Sequence, residues 1–266
     1  MDKKIFIYAN DTEMSKTIEE TVRKKLVKSD LRVHDEYDED TDLIICIGGD
    51  GTLLRLVQDF NFPKTPIVGI NTGHLGFFQE VLPEKIDDFI FFYNQDKYTI
   101  QSLNGVTATI KTDSGIHKHV ALNEIVVRGF MTHPIHLNIS INESFIERFS
   151  GDGICVSTPA GSTAYNYSLG GGIVDPRLNL IQVSPIAPMH NTAYRSFTSS
   201  ILLPSNDKLT IIPCSEYDRS LSIVYDGLMK DYDKIQELTI QLSRKKINLM
   251  RFDDYQFWEK VKSKFL

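Results

Sequence analysis

Hydrophobic and polar positions follow two different rhythms along this chain. In the first part, unbroken apolar runs alternate with stretches whose apolar residues recur every three or four positions. KIFIYA (4–9) predicts a strand. Met14, Ile18, Val22 and Leu26 then recur every four residues and predict a helix, with Asp11 or Thr12 placed to cap its start. The acidic stretch HDEYDEDTD (34–42) reads as a solvated loop. LIICI (43–47) predicts a buried strand, TLLRLVQDF (52–60) a helix, PIVGI (66–70) a third strand, and PEKIDDFIFFYN (83–94) a helix opened by Pro83. Strands and helices in alternation are the signature of a parallel α/β layer.

The rhythm changes near residue 97. From Tyr98 to about Leu249 short alternating runs dominate: TATIKT, HLNISIN, ICVST, NLIQVS, LTIIP, LSIVYDG and LTIQLSRKKINLM. Turn residues separate them and helical periodicity is scarce, which predicts a β-sandwich. The last segment returns to a helical period, with Phe257, Val261 and Phe265 on one face. The expected organisation is therefore an α/β domain over 1–96 and a β-sandwich over 97–250. A C-terminal helix over 251–266 is expected to pack back on the first domain.

Composition narrows the function. The chain has 266 residues, 41% of them hydrophobic, enough to bury a large core. A formal net charge of −6 argues against nucleic acid, which needs a basic face to neutralise its phosphates. Membrane spans need about 20 consecutive apolar residues, and none is seen, so no membrane partner is expected. The three cysteines, Cys46, Cys155 and Cys214, are odd in number and show no CxxC spacing; they read as buried free thiols of a cytoplasmic protein.

The densest chemistry follows the second strand, in GGDGT (48–52). Glycines after a strand let the backbone approach a ligand, and the amides of such a turn form an anion cradle. This loop is neither GxxxxGK[ST] nor GxGxxG. A carboxylate at Asp50 repels phosphate unless it takes a proton from a hydroxyl or holds a cation, and both roles belong to phosphoryl transfer onto an alcohol. The alternative is that Asp50 only caps the following helix. Gly51 belongs to the same loop. Arg55, one turn on, either meets phosphate or is a solvated helix arginine.

A second concentration is GDGICVSTPAGSTAYNYSLGGG (151–172). Its hydroxyls, amides and glycines suit a sugar or nucleotide, and Tyr165 offers a flat face to a base. A flexible Ser/Gly loop is the weaker reading, because linkers rarely mix Tyr, Asn, Pro and Thr so densely. A third element is Asn123-Glu124, where Glu accepts and Asn both donates and accepts, so that the pair can hold ribose hydroxyls; such a pair is also common at a strand start.

With these elements in this order, the chain resembles the NAD kinases of Gram-positive bacteria. The likeness rests on GGDG (48–51), NTGHLGF (71–77), Asn123-Glu124, Asp152-Gly153, STPAGSTAY (157–165) and SLGGGIVDP (168–176), and spans nearly the whole chain. The resemblance implies that Asp50 is the base for the adenosine 2′-hydroxyl of NAD, with Gly51 facing the diphosphate. It implies that Phe78 packs near the adenine, that Asn123 and Glu124 hold ligand hydroxyls, and that Asp152 meets the nicotinamide end. Thr163, Ala164, Tyr165, Asn166 and Ser168 would line the adenine and ribose site, Ala187 a pocket wall, and Asp226 would face the site. Two positions depart from the family pattern. Ser150, counted among the substrate-binding positions, stands where members often carry a basic residue, with Arg148 two positions earlier, and Ala160 replaces a threonine.

The resemblance further implies Mg²⁺ or another divalent cation arriving with ATP, and a homo-oligomer, dimer or tetramer. The absence of HExxH, CxxC or a His/Cys cluster argues against a permanently bound transition metal. Of the seven histidines, His74 lies closest to the motifs and is expected to be structural. The competing readings are a kinase of another alcohol, such as a lipid, and a non-catalytic NAD(P) sensor.

Overall fold

The computed structural model describes residues 3–73, 76–130, 133–190, 195–252 and 255–265, with Tyr217 by its backbone alone. In chain order it begins with β1 (Lys4–Ala9), α1 (Glu13–Lys28), β2 (Arg32–His34), β3 (Leu43–Ile47), α2 (Asp50–Asp59), β4 (Ile67–Ile70) and α3 (Ile86–Asn94). Then come β5 (Thr99–Thr112), β6 (Gly115–Ala121), β7 (Glu124–Gly129), β8 (Ile135–Ile141), β9 (Ser144–Gly151), β10 (Gly153–Ser157) and the single turn α4 (Tyr165–Ser168). The remainder is β11 (Leu180–Ile186), β12 (Ile201–Pro204), β13 (Lys208–Pro213), β14 (Leu221–Tyr225), β15 (Leu228–Tyr232), β16 (Ile235–Arg251) and α5 (Phe257–Phe265).

The chain divides into two compact units, residues 1–103 with 246–266, and residues 104–245. These limits differ from 96/97 and 250/251 because β5 and β16 are single long strands whose ends belong to different units. An alternating sequence such as LTIQLSRKKINLM carries no mark of where a strand leaves one core and enters another.

In the first unit the strands run parallel in the order β2, β1, β3, β4, and Leu249 near the end of β16 pairs with Ile67. All five residues of β3 are buried, which explains its unbroken apolar run: both faces of a central parallel strand are covered. Val22 and Leu26 of α1 are fully buried in the same core as Ile5, Leu43, Ile45 and Val68. Thr12 caps α1 by accepting from the Ser15 N–H at 3.3 Å. Met14, counted in the helical stripe, is exposed instead, and the neighbouring Ser15 is the buried residue of that turn. His34, at the head of the acidic stretch, closes the three-residue strand β2, which is too short to show a period in the sequence. Parallel strands bring their carboxyl ends to one edge, where Ala9, Ile47 and Ile70 are followed by Asn10, Gly48 and Asn71. In open α/β sheets ligands bind at that edge.

The second unit is a β-sandwich. One sheet is antiparallel in the order β12, β11, β10, β7, β14, β15. The other contains β9, β8, β13 and β16 as neighbours, with β5 paired to β16 and β6. Their inner faces meet in one core, with Leu137, Ile139, Phe149, Leu209 and Ile211 from one sheet and Ile125, Val127, Ile154, Val156 and Ile223 from the other. The alternation read in the sequence is this inward-facing set. Tyr225 pairs with Leu228, so Asp226-Gly227 forms a two-residue hairpin loop with positive φ at both positions (48° and 83°).

Candidate active site

Beyond β3 the chain turns at Gly48, whose φ of 154° and proximity to Thr52 require glycine; a Cβ there would lie 2.2 Å from the threonine hydroxyl oxygen. Gly49 is the N-cap of α2, its carbonyl accepting from the N–H groups of Thr52 and Leu53. Asp50 is therefore not the cap. It is the first residue of the helix, and its carboxylate accepts from the Phe77 N–H at 2.8 Å and the Phe78 N–H at 3.0 Å. Gly76 makes this approach feasible, since a Cβ there would lie 2.0 Å from Asp50 Oδ1. Asn10, at the end of β1, donates to Thr52 Oγ1 at 3.1 Å and steadies the first turn of α2.

Gly51 and Arg55 are both exposed on α2. The Phe78 ring is buried in the first unit, and the group it turns toward the carboxylate is its backbone amide. His74, with Leu75, lies outside the described residues.

Sequence reasoning missed what stands behind this loop. Arg251, at the end of β16, donates to Phe78 O at 3.1 Å and forms a buried ion pair with Glu80 at 2.8 Å. Lys260, on α5, donates to Phe77 O at 3.4 Å and to Gln79 O. The Tyr255 ring lies 3.7 Å from the Arg251 guanidinium and 4.9 Å from the Lys260 ammonium. Burial lowers Lys260 to about 8, with Arg251 and Lys264 acting in the same direction and Glu80 and Asp50 against it. A basic residue on an amphipathic helix looks solvated in a sequence, and nothing in its spacing singled Lys260 out.

In the second unit, Asn123 and Glu124 open β7 beside the hairpin carrying Asp226. The Asp226 carboxylate accepts from the Leu122 N–H at 2.6 Å and the Asn123 N–H at 2.8 Å, fixing the backbone that presents the pair. Thr158 braces the same turn, its hydroxyl donating to Leu122 O and its N–H to Asn123 O. Gly161 passes so close that a Cβ would lie 2.1 Å from Asn123 O. Asn123 Oδ1 and Glu124 Oε2 are buried with no hydrogen-bond partner among the described residues. Buried acceptors in that state are costly unless something donates to them, and ligand hydroxyls would do so. Burial, then the Asp226 carboxylate, raise the Glu124 carboxyl to about 8, against a hydrogen bond from the Tyr165 backbone.

The STPAGSTAY segment divides its work. Ser162 and Asn166 are fully buried braces: Ser162 donates to Pro159 O, and Asn166 Oδ1 accepts from Ser184 Oγ at 2.6 Å. Thr163 and Ala164 are half-buried, while Tyr165 and Ser168 are exposed. Gly171 and Ser184 enclose the Asn166 amide, so its side chain braces the segment from within. Ser150 is likewise enclosed. Its hydroxyl meets His136 Nδ1 at 2.7 Å, and its N–H donates to Ser196 Oγ at 2.8 Å. Its side chain cannot replace a cationic ligand contact. Asp152 and Ala187 are exposed near one another, the Asp152 N–H donating to Ile186 O and Ala187 holding a positive φ of 43°.

A carboxylate held in a glycine-bounded loop at the edge of a parallel sheet, with a β-sandwich that leaves hydroxyl acceptors unpaired, defines a class: a kinase that acts on a small hydroxylated, nucleotide-like molecule. Family models agree. Residues 2–98 match the ATP-NAD kinase N-terminal domain and residues 122–252 the ATP-NAD kinase C-terminal domain. Among relatives, the NAD kinase of Finegoldia magna is 39% identical over 99% of this chain and 98% of its own length. That of Geobacillus stearothermophilus is 32% identical over 98% and 95%. Among solved structures, an NAD kinase from Archaeoglobus fulgidus in complex with ATP superimposes with a TM-score of 0.75 at 25% identity, over 98% of this chain and 97% of that one. Yeast NADH kinase complexed with NADH shares the fold with a TM-score of 0.85 at 21% identity, over 99% of this chain and 87% of that one. The chain belongs to the ATP-NAD kinase family, whose reaction is the phosphorylation of NAD to NADP.

Proposed function

We propose that this protein transfers the γ-phosphate of MgATP to the 2′-hydroxyl of the adenosine ribose of NAD, with Asp50 as the general base. The ribose oxygen forms a bond to the γ-phosphorus, the bond from that phosphorus to the β,γ-bridging oxygen breaks, ADP leaves, and the hydroxyl proton passes to the Asp50 carboxylate. The observation that carries this reading is the fixed carboxylate itself, gripped by the N–H groups of Phe77 and Phe78 at 2.8 and 3.0 Å, with Gly48 before it and Gly76 facing it too crowded to admit a side chain. A ribose hydroxyl is a poor nucleophile at neutral pH, and a positioned base is worth about 10²–10⁴ in rate. Magnesium enters as part of the nucleotide substrate, its ligands mostly phosphate oxygens and water.

In the second unit, the unpaired acceptors of Asn123 and Glu124 support a role in holding ligand hydroxyls, with the exposed Tyr165 ring as the face for a base. Asp152, Thr163, Ala164, Ser168 and Ala187 are assigned to the same ligand, and Gly51 and Arg55 to the phosphates. The protein is further assigned a homo-oligomeric state, in keeping with Phe145 and Ile146 exposed on the outermost strand β9. Its assigned setting is the cytoplasm, in keeping with three free cysteines. No described helix is long and apolar enough to cross a membrane.

The test is NADP formation from NAD and MgATP by the native protein and by Asp50→Asn. The native protein is expected to form NADP, and the variant to bind NAD but turn over about 10²–10⁴ more slowly. A native protein that binds NAD and yields no NADP with either ATP or polyphosphate would overturn the reading in favour of a sensor.

A further inference from the structure

The loop that holds Asp50 is itself held by the C-terminal helix. The Phe77 ring lies 5.9 Å, centroid to centroid, from both Phe257 and Phe265, one turn-pair apart on α5, and Val261 between them is buried. Beside this apolar contact, the Lys260 ammonium donates to the carbonyl oxygens of Phe77 and Gln79. The Phe77 carbonyl and the Phe78 N–H belong to one peptide group. A cation on its oxygen therefore polarises the N–H that donates to Asp50 Oδ1 at 3.0 Å. Hydrogen bonds in such a chain strengthen one another, and more so where water is excluded.

We propose that Lys260 is a positioning residue for phosphoryl transfer: through the Phe77–Phe78 peptide it fixes the Asp50 carboxylate in place and sets the strength of the hydrogen bond that holds it. The inference rests on Asp50 being the base. It gives α5 a part in the chemistry beyond packing against Phe77.

Lys260 is also placed to make activity respond to pH. Its ammonium is desolvated and titrates near 8. The charged groups facing it are Asp50 on α2, Glu80 in the loop before α3, Arg251 on β16 and Lys264 on α5 itself, with the Tyr255 ring on one side. Above that pH the neutral amine still donates a hydrogen bond but no longer polarises the peptide as a cation does. Arginine would keep its charge throughout.

The experiment measures kcat and KM for NAD from pH 6 to 9.5 (about two decades of proton activity below the lysine's value of about 8 and about one and a half above it) for the native protein, Lys260→Met and Lys260→Arg. The expected result for Lys260→Met is a fall in kcat of about ten-fold with KM for NAD little changed, and loss of the alkaline limb near pH 8. Lys260→Arg should recover most of kcat at neutral pH and carry the limb upward. A folded Lys260→Met protein with native kcat and a native pH profile would overturn the proposal. So would a variant that only melts earlier, with the alkaline limb intact. Should the methionine variant not fold, the arginine variant decides alone, since an unmoved limb contradicts the proposal. The double variant Asp50→Asn/Lys260→Met separates the two claims. If Lys260 acts through Asp50, the second substitution costs nothing further in the Asp50→Asn background. A full, additive loss there overturns the positioning role even if Asp50 proves to be the base. Native kcat in Asp50→Asn alone would instead bring down the base assignment, and the positioning proposal with it.

Discussion

A methyl group on Gly76 would stand 2.0 Å from Oδ1 of Asp50. The two residues are far apart in the sequence, yet the approach of one backbone to the other's carboxylate is the tightest constraint on the site. Gly76→Ala must either push the carboxylate off the Phe77 and Phe78 amides or displace the loop. A displacement of about 1 Å is enough to cost ~10² in kcat. Steady-state kinetics should show that loss, while NAD binding measured by calorimetry stays close to native.

Glu124 makes stability depend on pH. Its carboxyl is raised from 4.5 to about 8 in the folded protein, first by burial and then by the Asp226 charge. Between those values the folded state binds more protons than the unfolded one, so stability falls as pH rises. The contribution is fully present below about 4.5 and lost once pH passes about 8. Glu124→Gln removes this slope. The variant should be more stable than the native protein above pH 8 by roughly 2–4 kcal/mol, from 1.36 kcal/mol per pKa unit discounted for partial exposure. Urea unfolding of both proteins at several pH values checks this.

Arg251 and Glu80 form a buried ion pair, with side chains 4% and 3% exposed. Arg251→Met strands the Glu80 carboxylate, which then keeps the Phe252 N–H as a donor at 3.1 Å. Breaking such a pair costs about 3–5 kcal/mol. The double variant Arg251→Met/Glu80→Gln should recover part of that loss, because an uncharged amide costs less to bury. Denaturant midpoints of the two variants give the comparison.

Gly161 lies so near Asn123 O that Gly161→Ala forces the two segments apart. Overpacking of this kind costs roughly 1–3 kcal/mol. The same shift moves the turn that carries Asn123 and Glu124, so KM for NAD should rise with the loss of stability. A raised KM with unchanged kcat would show uniform binding lost.

Much of this protein is local enough to be written in its sequence. An all-apolar LIICI is what a strand covered on both faces requires. The recurrence of Val22 and Leu26 is what a helix lying on a sheet requires. Three glycines within five residues around Asp50 mark a turn, and it is Gly48 that takes the positive φ, 154°. These features depend on neighbours along the chain. Asp50 and its helix-cap alternative are both legible in that local sequence.

What the carboxylate does in the fold could not be read that way. Its donors come from residues 27 and 28 positions later. The groups behind those donors, Arg251 and Lys260, come from more than 170 positions beyond Phe77. Their side chains look like surface charges until packing strips them of water. Ser150 and Asn166, attractive as ligand contacts by motif, prove to be buried braces, because Ser196 and Ser184 arrive from strands and loops that the motif does not contain. The sequence by itself determined most of the elements and the glycine-bounded loop, since these rest on local sterics and periodicity, and its motifs carried the likeness to the family. Only the tertiary structure decided which polar groups are dry, which are paired and which are left open to a ligand, because burial is a property of the whole fold and not of any segment of it.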